Sequence, residues 1–338
     1  MPFRHLAGHR VLLDLVARAA ARGSLPPSLI FAGPDGVGKR LAAVSLAQLF
    51  NCTNVVGEVH GEPAEPAPDA CGECNACRRI ARGVHADVLV IEPGDTGSIK
   101  VDQVRAAIDR TAYRPFEGRR RVVIVDNADA MEAPPQNALL KTLEEPPAAS
   151  TFVLVTSRPD VLLPTVRSRC QRIRFGPLSP AEIAPVLMRD HGFGEREAHA
   201  AATAAEGSIG RALEGDSEAY VGARDAAEAM LKTVAQAATP AQRLAAARAL
   251  GGDKVDRDEL GRRLRLVASM LRDLGVLLSR ADEQSLANGD LKPMLGRLLP
   301  AFDADRALDA FAAVDRALQA LDRNASPKIV ADWVAFRV

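Results

Sequence analysis

The stretch "SLIFAGPDGVGKRLAAVSLAQLF", residues 28–50, decides how the first half of the chain is read. "SLIFAG" (28–33) is a short apolar run ending in glycine, the pattern of a buried strand. "RLAAVSLAQLF" (40–50) repeats its apolar residues at helical spacing. Between them lies a glycine-rich turn. Strand, turn and helix in that order make the setting of a phosphate-binding loop, G-x-x-x-x-G-K-[ST]. In such a loop backbone N–H groups wrap the phosphates, the lysine meets their charge and the hydroxyl holds Mg²⁺. Gly33, Pro34, Asp35, Gly36, Val37, Gly38 and Lys39 supply the cradle. Arg40 stands where the hydroxyl should be. A guanidinium has no lone pair to offer a metal, and its charge repels one.

Working outward, further apolar runs alternate with helix-like segments, as in a parallel sheet with crossover helices. Strands are expected at "ADVLVIEP" (86–93), "RVVIVDNAD" (121–129), "TFVLVTS" (151–157) and "QRIRF" (171–175). Helices are expected at "VDQVRAAIDRTAY" (101–113) and "QNALLKTLEE" (136–145), the latter closed by Pro146 and Pro147. The third strand ends in Asp126, the position of the acid that completes a nucleotide site. The next residue is Asn127, which cannot act as a base where a hydrolytic site needs a glutamate. Two departures therefore strike the same function, so hydrolysis is not expected and nucleotide binding is weak or absent. Arg119, Arg120 and Arg121 read as a solvated turn before the acidic strand.

After Phe175 the strand signals stop. "LSPAE" begins a helix, with Ser179 as N-cap, Pro180 at its first position and Glu182 closing a capping box. A small helical domain to about residue 217 is followed by a larger all-helical one. In the latter Leu264, Val267, Leu271, Leu274 and Leu278 form a narrow seam suited to a bundle core. The expected fold class is α/β plus all-α, with domains at 1–176, 177–217 and 218–338.

Composition narrows the function. The 338 residues carry 43 Lys+Arg against 43 Asp+Glu, so a chain-wide basic footprint for nucleic acid is missing. Aromatics are 4%, too few for a base-stacking platform. With no signal-like start and no long apolar span, a cytoplasmic protein without membrane contact is expected. The five cysteines then point to metal rather than disulfides. Cys71, Cys74 and Cys77 make a C-x₂-C-x₂-C run, and Cys52 can supply a fourth thiolate for a closed structural Zn²⁺ site. His60 and His85 are alternative ligands, and an iron–sulfur cluster is the rival metal group. Such a site would tie down "TNVVGEVHGEPAEPAPDA" (53–70), which reads as a flexible excursion. Cys170 reads as a buried packing residue.

The run "NALLKTLEEPP" (137–147), the tripeptide "SRC" (168–170) and the four cysteines closely resemble the bacterial replicative clamp loader, an AAA+ family. "FRHLAGH" (3–9) is similar to the family's nucleotide-reading segment, "GSIGRAL" (207–213) to its sensor-2 region and "RNASPKIVADWV" (323–334) to the end of its collar domain. The resemblance implies an AAA+ P-loop domain with a zinc-binding insertion at about 52–77, a helical lid and a helical collar. It makes Thr156 the sensor-1 position and Arg211 the sensor-2 arginine. It gives Arg169 a role in trans, as an arginine finger for the ATP site of a neighbouring subunit. The implied partners are gamma/tau ATPase subunits and a delta subunit, with sliding clamp and primer-template DNA reached through the complex. DNA polymerase activity would belong to the assembly only. The competing expectation is an active AAA+ ATPase, and Arg40 and Asn127 speak against it.

Overall fold

Four largely apolar runs and the mostly polar QRIR become five strands: β1 Ser28–Ala32, β2 Val88–Ile91, β3 Arg121–Val125, β4 Ser150–Thr156 and β5 Gln171–Arg174. In a computed structural model, which describes residues 1–57, 66–251, 255–282 and 286–338, they form one sheet in the order β2-β3-β4-β1-β5. Every neighbouring pair is parallel. β1, β3 and β4 are buried at every position, as a sheet covered on both faces requires. β1 sits between β4 and β5, so the chain reverses its direction of travel across the sheet there. Ligands of open parallel sheets bind at that switch point, beyond the carboxyl ends of the strands.

The helices of this part are α1 Arg10–Ala21, α2 Lys39–Asn51, α3 Asn75–Ala81, α4 Val101–Thr111, α5 Ala133–Glu144 and α6 Pro164–Arg167. One core joins α1, α2 and α3 to the sheet through Leu13, Leu46, Ile80 and Phe31. The other joins α4 and α5 through Val104, Leu139, Phe152 and Leu154. Each such side chain contributes about 1.5–3 kcal/mol by leaving water. α5 starts three residues earlier than the sequence suggested. Pro134 and Pro135 occupy its first turn, where a missing N–H costs nothing.

Of the three consecutive arginines, Arg121 corrects the solvated-turn reading, whereas Arg119 is exposed. Arg121 is buried and pairs with the fully buried Asp87 at 2.7 Å. Asp87 also accepts from the N–H groups of Phe116, Glu117 and Gly118. Arg120 lies over the Phe50 ring and donates to Thr151 Oγ1. Arg119 donates to the carbonyl of Cys52. All three side chains fasten the 112–120 loop to the core.

Met1–Pro177 and Leu178–Val338 are two compact units. The second unit is all helical: α7 Pro180–His191, α8 Glu195–Ala204, α9 Ile209–Glu214, α10 Ser217–Gln236, α11 Pro240–Ala249, α12 Arg257–Leu278, α13 Lys292–Leu298, α14 Ala304–Asp322 and α15 Pro327–Arg337. The Ser179–Glu182 capping box forms as expected. Leu264, Val267, Leu271 and Leu274 of α12 are buried in the core of this unit, with Leu278 packed at its margin. α8, of the proposed lid, packs on α10 and α12, of the proposed collar. Among the described residues, no helix is long and apolar enough to cross a membrane.

Candidate functional site

The glycine loop leaves β1 at the switch point. Gly33 passes so close to β5 that a Cβ there would lie 2.2 Å from the Phe175 carbonyl oxygen, so no side chain fits. Its N–H donates to the Thr156 carbonyl at 3.2 Å, joining the loop to the end of β4. Gly38 caps α2 with φ +94°, a conformation that L side chains rarely adopt. Lys39 follows and is buried. Its ammonium turns back on the loop, donating to the carbonyls of Gly33 (2.7 Å) and Pro34 (2.6 Å) and pairing with Asp35 at 3.6 Å. Burial lowers its pKa, and the negative charge of Asp35, Asp126 and Asp129 opposes that shift. The loop keeps its glycines and its cation, but that cation is turned onto the loop's own carbonyls.

The acidic side of the site is built differently from a hydrolytic one. Asp126, at the end of β3, pairs with Arg40 at 3.2 Å, and Arg40 also pairs with Glu92 beyond β2. Burial raises the Asp126 carboxyl above its ordinary value and Glu92 adds to this, while Arg40 and the Asn127 N–H oppose it. Asn127 takes a left-handed conformation, φ 49° and ψ 52°, which asparagine tolerates well. Thr156 donates to Asp129 at 2.7 Å, and Asp129 pairs with Arg158 at 2.9 Å. Gly33, Lys39, Asp126 and Thr156 therefore meet at the carboxyl ends of β1, β3 and β4. The Mg²⁺ that such loops use does not fit these residues, because the side chain at its ligand position is a cation.

Arg169 lies elsewhere, between α6 and β5. Its side chain is 31% exposed and rests on Glu144 at the end of α5, with a further hydrogen bond of 2.8 Å to the Thr165 carbonyl. The adjacent Cys170 is buried, and burial pushes its thiol up to about 12. Arg211 belongs to the second unit, where it pairs with Glu206 at 2.7 Å and is exposed.

The four cysteines converge. The Sγ atoms of Cys52, Cys71, Cys74 and Cys77 all lie within 4.8 Å of one another. A tetrahedral zinc with ~2.3 Å bonds sets its sulfurs about 3.8 Å apart, so the group fits a single ion. A cluster that carries its own irons and sulfides would need wider spacing. Backbone N–H groups already point at the sulfurs: Cys71 N at Cys52 (3.2 Å), Cys74 N at Cys71 (3.3 Å) and Cys77 N at Cys74 (3.5 Å). Burial raises the thiols of Cys52 and Cys77. At Cys74 burial is outweighed by hydrogen bonds from Cys77 and Thr53, which bring it down to about 6. His85 is not a member of this group. It is buried beside Glu117, and its Nδ1 accepts from Asp87 N. His60 lies outside the described residues. The ends of the 53–70 segment are joined by a Val56–Asp69 bridge, and residues 58–65 lie outside the described residues.

The family model described as "DNA polymerase III, delta subunit" matches residues 8–179, just over half of the chain. The chain belongs to that family. It is 41% identical over 139 residues to the DNA polymerase III subunit delta' of Pseudomonas aeruginosa, covering 41% of this chain and 39% of that one. It is 34% identical over 177 residues to subunit delta' of Bacillus subtilis, covering 52% of this chain and 50% of that one. The tau subunit of Escherichia coli DNA polymerase III is 33% identical over 216 residues, covering 62% and 32%. The chain thus spans half or less of the length of these relatives.

Two residues of this delta-family chain escaped the sequence reading. Glu92 was read only as the end of a strand, and its pairing with Arg40 spans 52 positions of sequence. Asp129, in "VDNAD", holds both Thr156 and Arg158. The doubled acid was visible, but which of the two would face the loop depended on the turn at Asn127.

Proposed function

We propose that this chain serves as the delta-prime subunit of a bacterial DNA polymerase III clamp loader. It helps place the ring-shaped sliding clamp on primed DNA while hydrolysing no ATP itself. The observation that carries this reading is the ion pair of Arg40 with Asp126: the two positions that would share Mg²⁺ are bound to each other. Asn127 removes the water-activating acid as well. Nucleotide binding through the glycine cradle and Lys39 is weak, because Lys39 must first give up the loop carbonyls it holds.

In this proposal the chain contributes Arg169 to the ATP site of an adjacent gamma/tau subunit. A guanidinium is always charged, and its planar fork suits the oxygens of a transferring phosphoryl group. The Glu144 pair supports the role, since it holds Arg169 partly exposed where a stronger anion can take it over. The delta subunit is a further partner, clamp and primer-template DNA are met through the assembly, and the assembly works in the cytoplasm. The four cysteines hold a structural Zn²⁺ that closes the 52–77 insertion onto α2 and α3. The intact glycine cradle favours one second reading, an active AAA+ ATPase. Steady-state ATP turnover by the isolated chain separates the two. Background rate is expected; turnover that Lys39→Ala abolishes would replace the proposal with the second reading.

A further inference from the structure

We infer that Arg40 is a built-in replacement for the divalent cation of a phosphate-binding loop, so that the acidic side of the site has no use for Mg²⁺. In a hydrolytic loop the residue after the lysine and the acid at the end of the third strand share the metal. Here those two side chains are joined directly, Arg40 Nη1 to Asp126 Oδ2 at 3.2 Å. The other arm of the same guanidinium pairs with Glu92. One rigid fork thus ties the first turn of α2 to the ends of β2 and β3.

The charges explain why a cation is needed at this place. Both carboxylates reach the one guanidinium, and the charge of Glu92 raises the pKa of Asp126. Among the described residues, the other nearby cations are committed. Lys39 is spent on Gly33, Pro34 and Asp35, and Arg158 is spent on Asp129. Arg40 is therefore the cation that serves this acid pair. Mg²⁺ could enter only by displacing it from both carboxylates and then enduring its charge a few ångströms away. The arginine does more than spoil a metal ligand: it performs the electrostatic task of the metal on these two carboxylates.

Manganese, a paramagnetic probe of Mg²⁺ sites, tests this on the full chain. Buffers contain no chelator, so the cysteine cluster is left undisturbed. Wild-type protein should show no saturable Mn²⁺ broadening of the Glu92 and Asp126 amide signals. Arg40→Thr should acquire that broadening, with affinity at least about tenfold above wild type, since removing a like charge at contact range is worth that much. Mg²⁺ should compete with it, and Asp126→Asn added to Arg40→Thr should abolish it. Arg40→Lys, which keeps the charge, should stay without metal and serves if the threonine variant folds poorly. Saturable broadening in wild type or in Arg40→Lys would overturn the inference. So would a folded Arg40→Thr protein that binds no Mn²⁺ at these residues.

Discussion

The two ends of α2 carry two candidate ion sites, and they differ in kind. At the first turn, Lys39 and Arg40 supply positive charge from the chain itself, and the nearby carboxylates are already paired. Just past the last turn, Cys52 joins three other thiols whose sulfurs converge and receive N–H donors. One end keeps the shape of an ion site and supplies the cation from within. The other end supplies donors for an ion from outside. The difference shows that the outline of a motif and its chemistry separate cleanly. The glycines preserve a loop, while the donor atoms around it decide whether a metal can act there.

The largest expected effect comes from breaking the cysteine end. Cys74→Ser should lose the metal and unfold the insertion locally, at a cost on the order of several kcal/mol, because binding energy at a structural site is folding energy. Elemental analysis and hydrogen exchange over 52–57 and 66–81 measure it. Full protection in a zinc-free, reduced protein would show that the two ends of α2 do not differ in the way described.

A smaller effect is expected where a buried charge pair, with no ion at all, holds the fold. Asp87→Ala leaves Arg121 buried without its partner and should cost roughly 3–5 kcal/mol, read as a shift in the denaturant midpoint. Asp87 also sets a pH dependence. Burial would raise its carboxyl, but the N–H groups of Glu117, Gly118 and Phe116 and the Arg121 guanidinium outweigh it and bring it to about 2, from an ordinary 3.8. A depressed carboxylate stabilises the fold above its unfolded pKa, so this contribution is complete above 3.8 and is lost as pH falls toward 2. In Asp87→Ala that portion of the acid sensitivity should disappear; an unchanged acid limb would assign it to other groups.

The smallest effect tests whether the two ends communicate. Asp69 accepts from the N–H groups of Phe3 and Arg4 beside the cysteine cluster, and Leu6 of the same segment approaches Gly38 of the loop. Asp69→Ala should retain metal, lose about 1–3 kcal/mol locally and speed exchange at residues 3–6. Unchanged exchange there would leave the two ends independent.

The parallel sheet was legible because its central strands are apolar runs, and the helical second half because its seam keeps step with α12. The cysteine group was legible because three of its four members, Cys71, Cys74 and Cys77, crowd one short loop. The partners of Arg40, Arg121 and Thr156 were not. Each lies 27 to 86 positions away, and a sequence window shows a charge without showing what it will meet. Arg121 misled the reading most: among three consecutive arginines it looked solvated, yet its place as the first residue of β3 carries it inward onto Asp87.

In the proposed function this chain leaves its own glycine loop inert and completes a neighbour's ATP site. The most direct measurement is the DNA- and clamp-stimulated ATPase rate of a reconstituted clamp loader carrying Arg169→Ala, with assembly checked by gel filtration. A transferred arginine is worth on the order of 10³-fold at a single site, and the loss is diluted where several sites each have their own donor. The account predicts an intact complex with a clearly reduced rate that Arg169→Lys does not rescue, because lysine lacks the planar fork. An intact complex that hydrolyses ATP at the wild-type rate would contradict it.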